Sequence, residues 1–175
     1  MAPPNTYSEI QRHKPWWIYL AISPSVIVSF WAVIQQVFLG QPFGNNPAPD
    51  WGVWVLFSLC GIGLPWLLYA SKQVIRFDGT TVSVAYVPFW RTRFRLNAVQ
   101  SFYRREFSAL RDFGGWGIRY GRDRVTAYIN FRETEGVQFE FAGRRRKLLI
   151  GTMNSRQFTE ILTTARWSEG TRRTT

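Results

Sequence analysis

The sequence predicts an α+β membrane protein: an N-terminal two-helix transmembrane hairpin, then a small β-barrel or sandwich of about seven strands with a C-terminal helix. Three observations carry this reading. Residues 16–71 contain one charged side chain, Asp50, whereas residues 72–175 hold 20 Lys plus Arg and 9 Asp plus Glu. Beyond Ala70 the apolar period shortens to two. Near the end, Phe158, Ile161, Leu162 and Ala165 recur at helical spacing.

At 175 residues the chain holds one ordinary domain and a short appendage. Its mean hydropathy of −0.16 averages two unlike halves. We divide it into a cytoplasmic N-terminal segment (1–15), a hairpin (16–71, spans about 16–39 and 51–70), a cytoplasmic domain (72–167) and a disordered basic tail (168–175). The single cysteine, Cys60, lies in an apolar run with no partner for a disulfide or a Cys/His metal site. No metal or other cofactor is expected.

Trp16 to Leu39 and Trp51 to Ala70 are uncharged for 24 and 20 residues. At about 1.5 Å per residue, each is long enough for a hydrocarbon core of about 30 Å. Trp16, Trp17 and Tyr19 open the first span. Trp51 and Trp54 open the second, and Trp66 and Tyr69 close it, at the depths where amphipathic rings settle. Pro24 and Pro65 predict kinks within intact spans. Arg12 and Lys14 precede the first span, Lys72 and Arg76 follow the second, and the loop from Gly40 to Asp50 has neither lysine nor arginine. The positive-inside rule therefore places both termini in the cytoplasm. Ser23, Ser25, Ser29, Gln35, Gln36 and Ser58 form no charged pathway, so the hairpin reads as an anchor and not as a transporter.

In VIRFDGTTVSVAYV, Asp78-Gly79 marks a hairpin turn, with Val82, Val84 and Tyr86 on one face and Thr81, Ser83 and Ala85 on the other. In WRTRFRL, Trp90, Thr92, Phe94 and Leu96 oppose Arg91, Arg93 and Arg95, which form an arginine ladder. Further strands are VQSFYRREF, RVTAYINF, GVQFEF and KLLIG. Asn154 is placed to cap the last helix, with Gln157 reciprocating.

The segment FGGWGIRYG, Phe113 to Gly121, lacks the lysine of a phosphate loop and the spacing of a dinucleotide fingerprint. Gly114, Gly115, Trp116 and Gly117 therefore read as a structural turn, with Trp116 filling the space that the bend opens. His13 reads as an interfacial flank, and Glu133 and Glu135 as solvated turn residues. No spacing suggests a nucleophile, a base and an orienting group, so no enzymatic activity is expected. Nucleic acid is not the expected partner either, because the aromatics alternate onto the core face and no RNA-binding run is present.

The order REFSALRDFGGWGIR, AYINF, a GV-containing strand, RRRKLLIGT and a helix beginning NSRQF resembles a group of poorly characterised bacterial membrane proteins. In that group a two-helix anchor precedes a pleckstrin-homology-like domain. The resemblance covers about residues 16–167 and implies seven bent strands capped by a helix, located at the bacterial cytoplasmic membrane. It carries no catalytic residue to this chain. Lipid-binding members of the wider class use a basic cluster at the first hairpin. Arg76-Phe77-Asp78-Gly79-Thr80-Thr81 stands there instead, which argues against specific phosphoinositide recognition.

The surplus of +11 falls in residues 72–175 and calls for an anionic partner. The expected function is a membrane-anchored binding or scaffold module for a protein or peptide. The alternative is orientation on anionic lipid headgroups. Lys72, Arg91, Arg93, Arg95, Arg144, Arg145, Arg146 and Lys147 are the candidate contacts, and the sequence leaves the oligomeric state open.

Overall fold

The computed structural model describes residues 6–12, 15–121, 124–143 and 145–172. His13, Lys14 and Arg144 lie outside this set. Two compact units result: residues 14–71, and residues 1–13 together with 72–175.

The first unit is helical. Helices α1 (Trp16–Phe38) and α2 (Asp50–Ala70) are each long and apolar enough to cross a membrane. Only 22% of the most apolar stretch of α1 and 11% of that of α2 is buried, unlike core helices of a soluble protein. Both run without a break through Pro24 and Pro65, and each contains a π-helical stretch, Val33–Phe38 and Phe57–Gly63. Where α1 and α2 meet, Ser29, Ala32, Val33 and Val53 are buried. A Cβ on Gly61 would stand 2.9 Å from Ser29 Oγ, so small residues set the approach of the helices, as is common between membrane helices. Gln36 Nε2 donates to Ala48 O and Asp50 Oδ1, and Gln35 Nε2 to Pro42 O, which ties down the connecting loop.

The second unit has nine strands among the described residues, in place of the expected seven: β1 (Tyr7–Gln11), β2 (Lys72–Phe77), β3 (Thr81–Val87), β4 (Trp90–Arg95), β5 (Val99–Glu106), β6 (Gly117–Tyr120), β7 (Val125–Ile129), β8 (Glu135–Phe141) and β9 (Lys147–Gly151). They form two separate sheets, β1-β2-β3-β4 and β5-β8-β9-β7-β6. Neither closes into a barrel. All pairings are antiparallel except β7 with β9.

One core joins both sheets. Ile75, Phe77, Val82 and Val84 from the first meet Tyr128, Val137, Phe139 and Ile150 from the second. Helix α4 (Ser155–Arg172), which follows a short helix α3 (Ala109–Phe113), contributes Phe158, Leu162 and Ala165 to that core. It continues past residue 167, so the expected disordered tail at 168–175 is helical as far as Arg172. Within the N-terminal segment 1–15, for which the sequence predicts no strand, Tyr7–Gln11 forms β1. Its Tyr7 ring stacks on Phe158 with centroids 4.6 Å apart.

The glycine-rich stretch covers the other face of the second sheet. Phe107, Ala109 and Phe113 pack there with Val125, Ala127, Ile129 and Leu149, and Trp116 joins them. Gly114 ends α3 at φ 70°, and Gly115 and Gly117 have φ of 139° and 94°, a region that side chains disfavour. Trp116 lies against Phe131, centroids 4.9 Å apart.

Candidate cationic face and a buried carboxyl

Strand alternation builds the candidate site on the outer face of the first sheet. Arg76 in β2 lies between Ser8 of β1 and Ser83 of β3, and Ser83 faces Arg93 of β4. One row along, Val74 lies between Ile10 and Ala85, and Ala85 faces Arg91. Small side chains thus floor a surface rimmed by long cationic ones. Two shallow depressions share Arg76, Ser83 and Arg91. One, of about 450 Å³, reaches Lys72, Phe89 and Trp90, and the other, of about 510 Å³, reaches Tyr7, Asp78 and Arg93.

Lys72, Arg76, Arg91, Arg93 and Arg95 have no ion pair among the described residues. Several basic residues of the second sheet and α4 are instead satisfied by the protein. Arg104 pairs with Glu135 at 3.0 Å and Lys147 with Glu140 at 2.8 Å. Arg105 donates to Gln138 Oε1, Arg119 to Trp116 O, and Arg166 to Val99 O and Gln100 O. The first sheet therefore concentrates uncompensated positive charge on one face, which raises the local concentration of anions. Asp78, at the β2–β3 turn, is already occupied: its carboxylate accepts the Thr81 and Thr80 N–H groups, which hold it below the usual range.

The predicted contacts divide into two sets. Lys72, Arg91, Arg93 and Arg95 share the first sheet's outer face, and register adds Arg76 to them. Arg145 and Arg146 line a separate depression with Tyr120 and Arg124, next to which Lys147 is paired. Arg144 lies outside the described residues.

A second polar cluster is internal. Glu133, expected to be solvated, is only 4% exposed, and Gln11 and Gln73 are buried beside it. The Asn130 N–H donates to Glu133 Oε2 at 2.7 Å, Gln73 Nε2 reaches Glu133 Oε1 at 3.4 Å, and Gln11 also bonds this carboxyl. Burial pushes its pKa up to about 8, opposed by the Asn130 and Gln11 hydrogen bonds and aided by the charge of Glu9. The carboxyl is therefore largely protonated at neutral pH. Gln73 Nε2 also donates to Gly151 O at 2.9 Å, while its Oε1 has no hydrogen-bond partner. Glu9 links the cluster to the turn before α4, accepting from Tyr7 Oη, Gln11 Nε2, Thr152 Oγ1 and the Met153 N–H.

Among the described residues no three His, Cys, Asp or Glu side chains are grouped to hold a metal. Comparison of the chain with protein-family models, curated proteins and solved structures gives no match.

Proposed function

We propose that this chain is a non-catalytic, membrane-anchored binding module whose cationic sheet face takes an acidic segment of a partner protein at the inner surface of a membrane. The observation that carries the proposal is the set of five cations with no ion pair among the described residues, around a floor of Ser83 and Ala85. β4 adds an open sheet edge at which an extended chain could gain main-chain hydrogen bonds. α1 and α2 serve as the anchor in this reading, and the basic flanks set both termini inside.

The test is a photo-cross-linking residue at Ser83 in the full chain, in native membranes. A reproducible adduct on an acidic segment, lost in Arg76→Glu/Arg93→Glu, is the expected result. An adduct insensitive to that double reversal, or none but lipid, overturns the reading.

The position of Lys72 directly after α2 favours a second reading, in which headgroups occupy the face. A basic residue near an anionic surface contributes about 1 kcal/mol. In that case a label on Arg93→Cys responds to the phosphatidylglycerol content of protein-free vesicles.

A further inference from the structure

One end of the first sheet gathers everything that connects to the helices. β1 ends there at Gln11 before α1 begins, and β2 starts there at Lys72 after α2 ends at Ala70. The β3–β4 tip lies at the same end, because Lys72 pairs with Val87, Gln73 with Tyr86, and Tyr86 with Trp90. Paired strands stand about 4.8 Å apart and an extended chain advances about 3.3 Å per residue. Register alone therefore holds Phe89 and Trp90 within roughly 15 Å of Lys72, the residue at which the chain enters the sheet after α2.

The composition of this tip suits a membrane boundary. Phe89 is 56% exposed and Trp90 60% exposed. The Phe89 N–H donates to Tyr86 O at 2.8 Å and fixes the turn. Trp90 is oriented by a hydrogen bond with Tyr128, leaving much of its apolar ring outside. Lys72 and Arg91 line the same depression, and neither has an ion-pair partner among the described residues. Aromatic rings beside long cationic side chains are the combination that settles at headgroup level, rings inward and charges outward.

We infer that the β3–β4 tip is a membrane-docking site: Phe89 and the Trp90 ring enter the headgroup–acyl boundary, with Lys72 and Arg91 at the level of the phosphates. The inference rests on the reading of α1 and α2 as spans. It deepens that reading by dividing the cationic face. Residues nearest the tip meet lipid, and Arg93 and Arg95, farther along β4, stay free for an acidic partner.

The test uses the full chain with Cys60→Ser, reconstituted in phosphatidylcholine vesicles with and without phosphatidylglycerol. A polarity-sensitive fluorophore is placed in turn on Phe89→Cys, Asn97→Cys and Leu59→Cys. Leu59 lies within α2, and Asn97 is exposed beyond the far end of β4. The expected result is quenching by nitroxide lipid at positions 59 and 89, with a blue shift and loss of iodide quenching at 89, and iodide quenching alone at 97. Lipid quenching at 59 with iodide quenching at 89 overturns the tip proposal and leaves the spans standing. Absence of lipid quenching at 59 removes the membrane reading and the tip proposal together.

Discussion

Gln11 and Gln73 are cross-strand partners in β1 and β2, so the segment that enters α1 and the segment that leaves α2 meet in one sheet. If the helices span, this pairing permits only an even number of crossings. In a Cys60→Ser background, Ser8→Cys and Asn97→Cys should react with an impermeant maleimide from one side of the membrane and Asn46→Cys from the other. Labelling of positions 8 and 46 from the same side would contradict it.

Glu133 gives the domain a pH dependence of defined sign. Its folded pKa, about 8, stands above the ordinary 4.5, so the stability it contributes is complete below 4.5 and is lost as pH rises through about 8. Asp78, Glu135 and Glu140 are shifted downward, and their contributions are lost on acidification instead. Denaturant unfolding of the solubilised chain should show stability declining from pH 4.5 to 8. Glu133→Gln, which keeps an acceptor for the Asn130 N–H, should flatten that decline, and an unchanged slope would count against a buried acid.

The Tyr7–Phe158 stack predicts that β1 is part of the folded domain. Tyr7→Ala should destabilise it by about 3 kcal/mol, in the range for emptying a buried aromatic site. A loss near zero in equilibrium unfolding would mean that β1 is not held to the core.

Gly151 is fixed by Glu133. A Cβ at Gly151 would stand 1.9 Å from Glu133 Oε2. Gly151→Ala should cost about 1–3 kcal/mol by overpacking. Much of that should be recovered in the Glu133→Ala background, which a double-mutant cycle reads as coupling. Additive effects would refute the contact.

The sequence made the elements legible wherever a two-residue or helical period met one apolar face. Val82 and Val84 in β3, Val137 and Phe139 in β8, and Phe158, Leu162 and Ala165 in α4 are buried as their spacing requires. β1 escaped because its inward residues below Tyr7 are Glu9 and Gln11, so its alternation is not hydrophobic. Glu133 escaped for a related reason. Its burial depends on Gln11 and Gln73, from strands remote in sequence, and no local pattern reports such a pocket. The parallel β7–β9 pair and the separation of the two sheets are likewise long-range outcomes. The arginine ladder of β4 was readable from alternation alone, but the addition of Arg76 needed the register of β2 against β3, and the pairing of Lys147 needed the position of Glu140.

The insertion of α1 and α2 between β1 and β2 orders events on the ribosome. β1 is synthesised first but has no strand to pair with until residues 72–77 emerge, after both helices. Its backbone groups bond water in place of a neighbouring strand through the whole of helix synthesis, and the domain cannot seal its core from the N-terminal side outward. Completion of the sheet thus reports that both helices have been made, and a nascent chain stalled inside α2 would display β1 as a free edge.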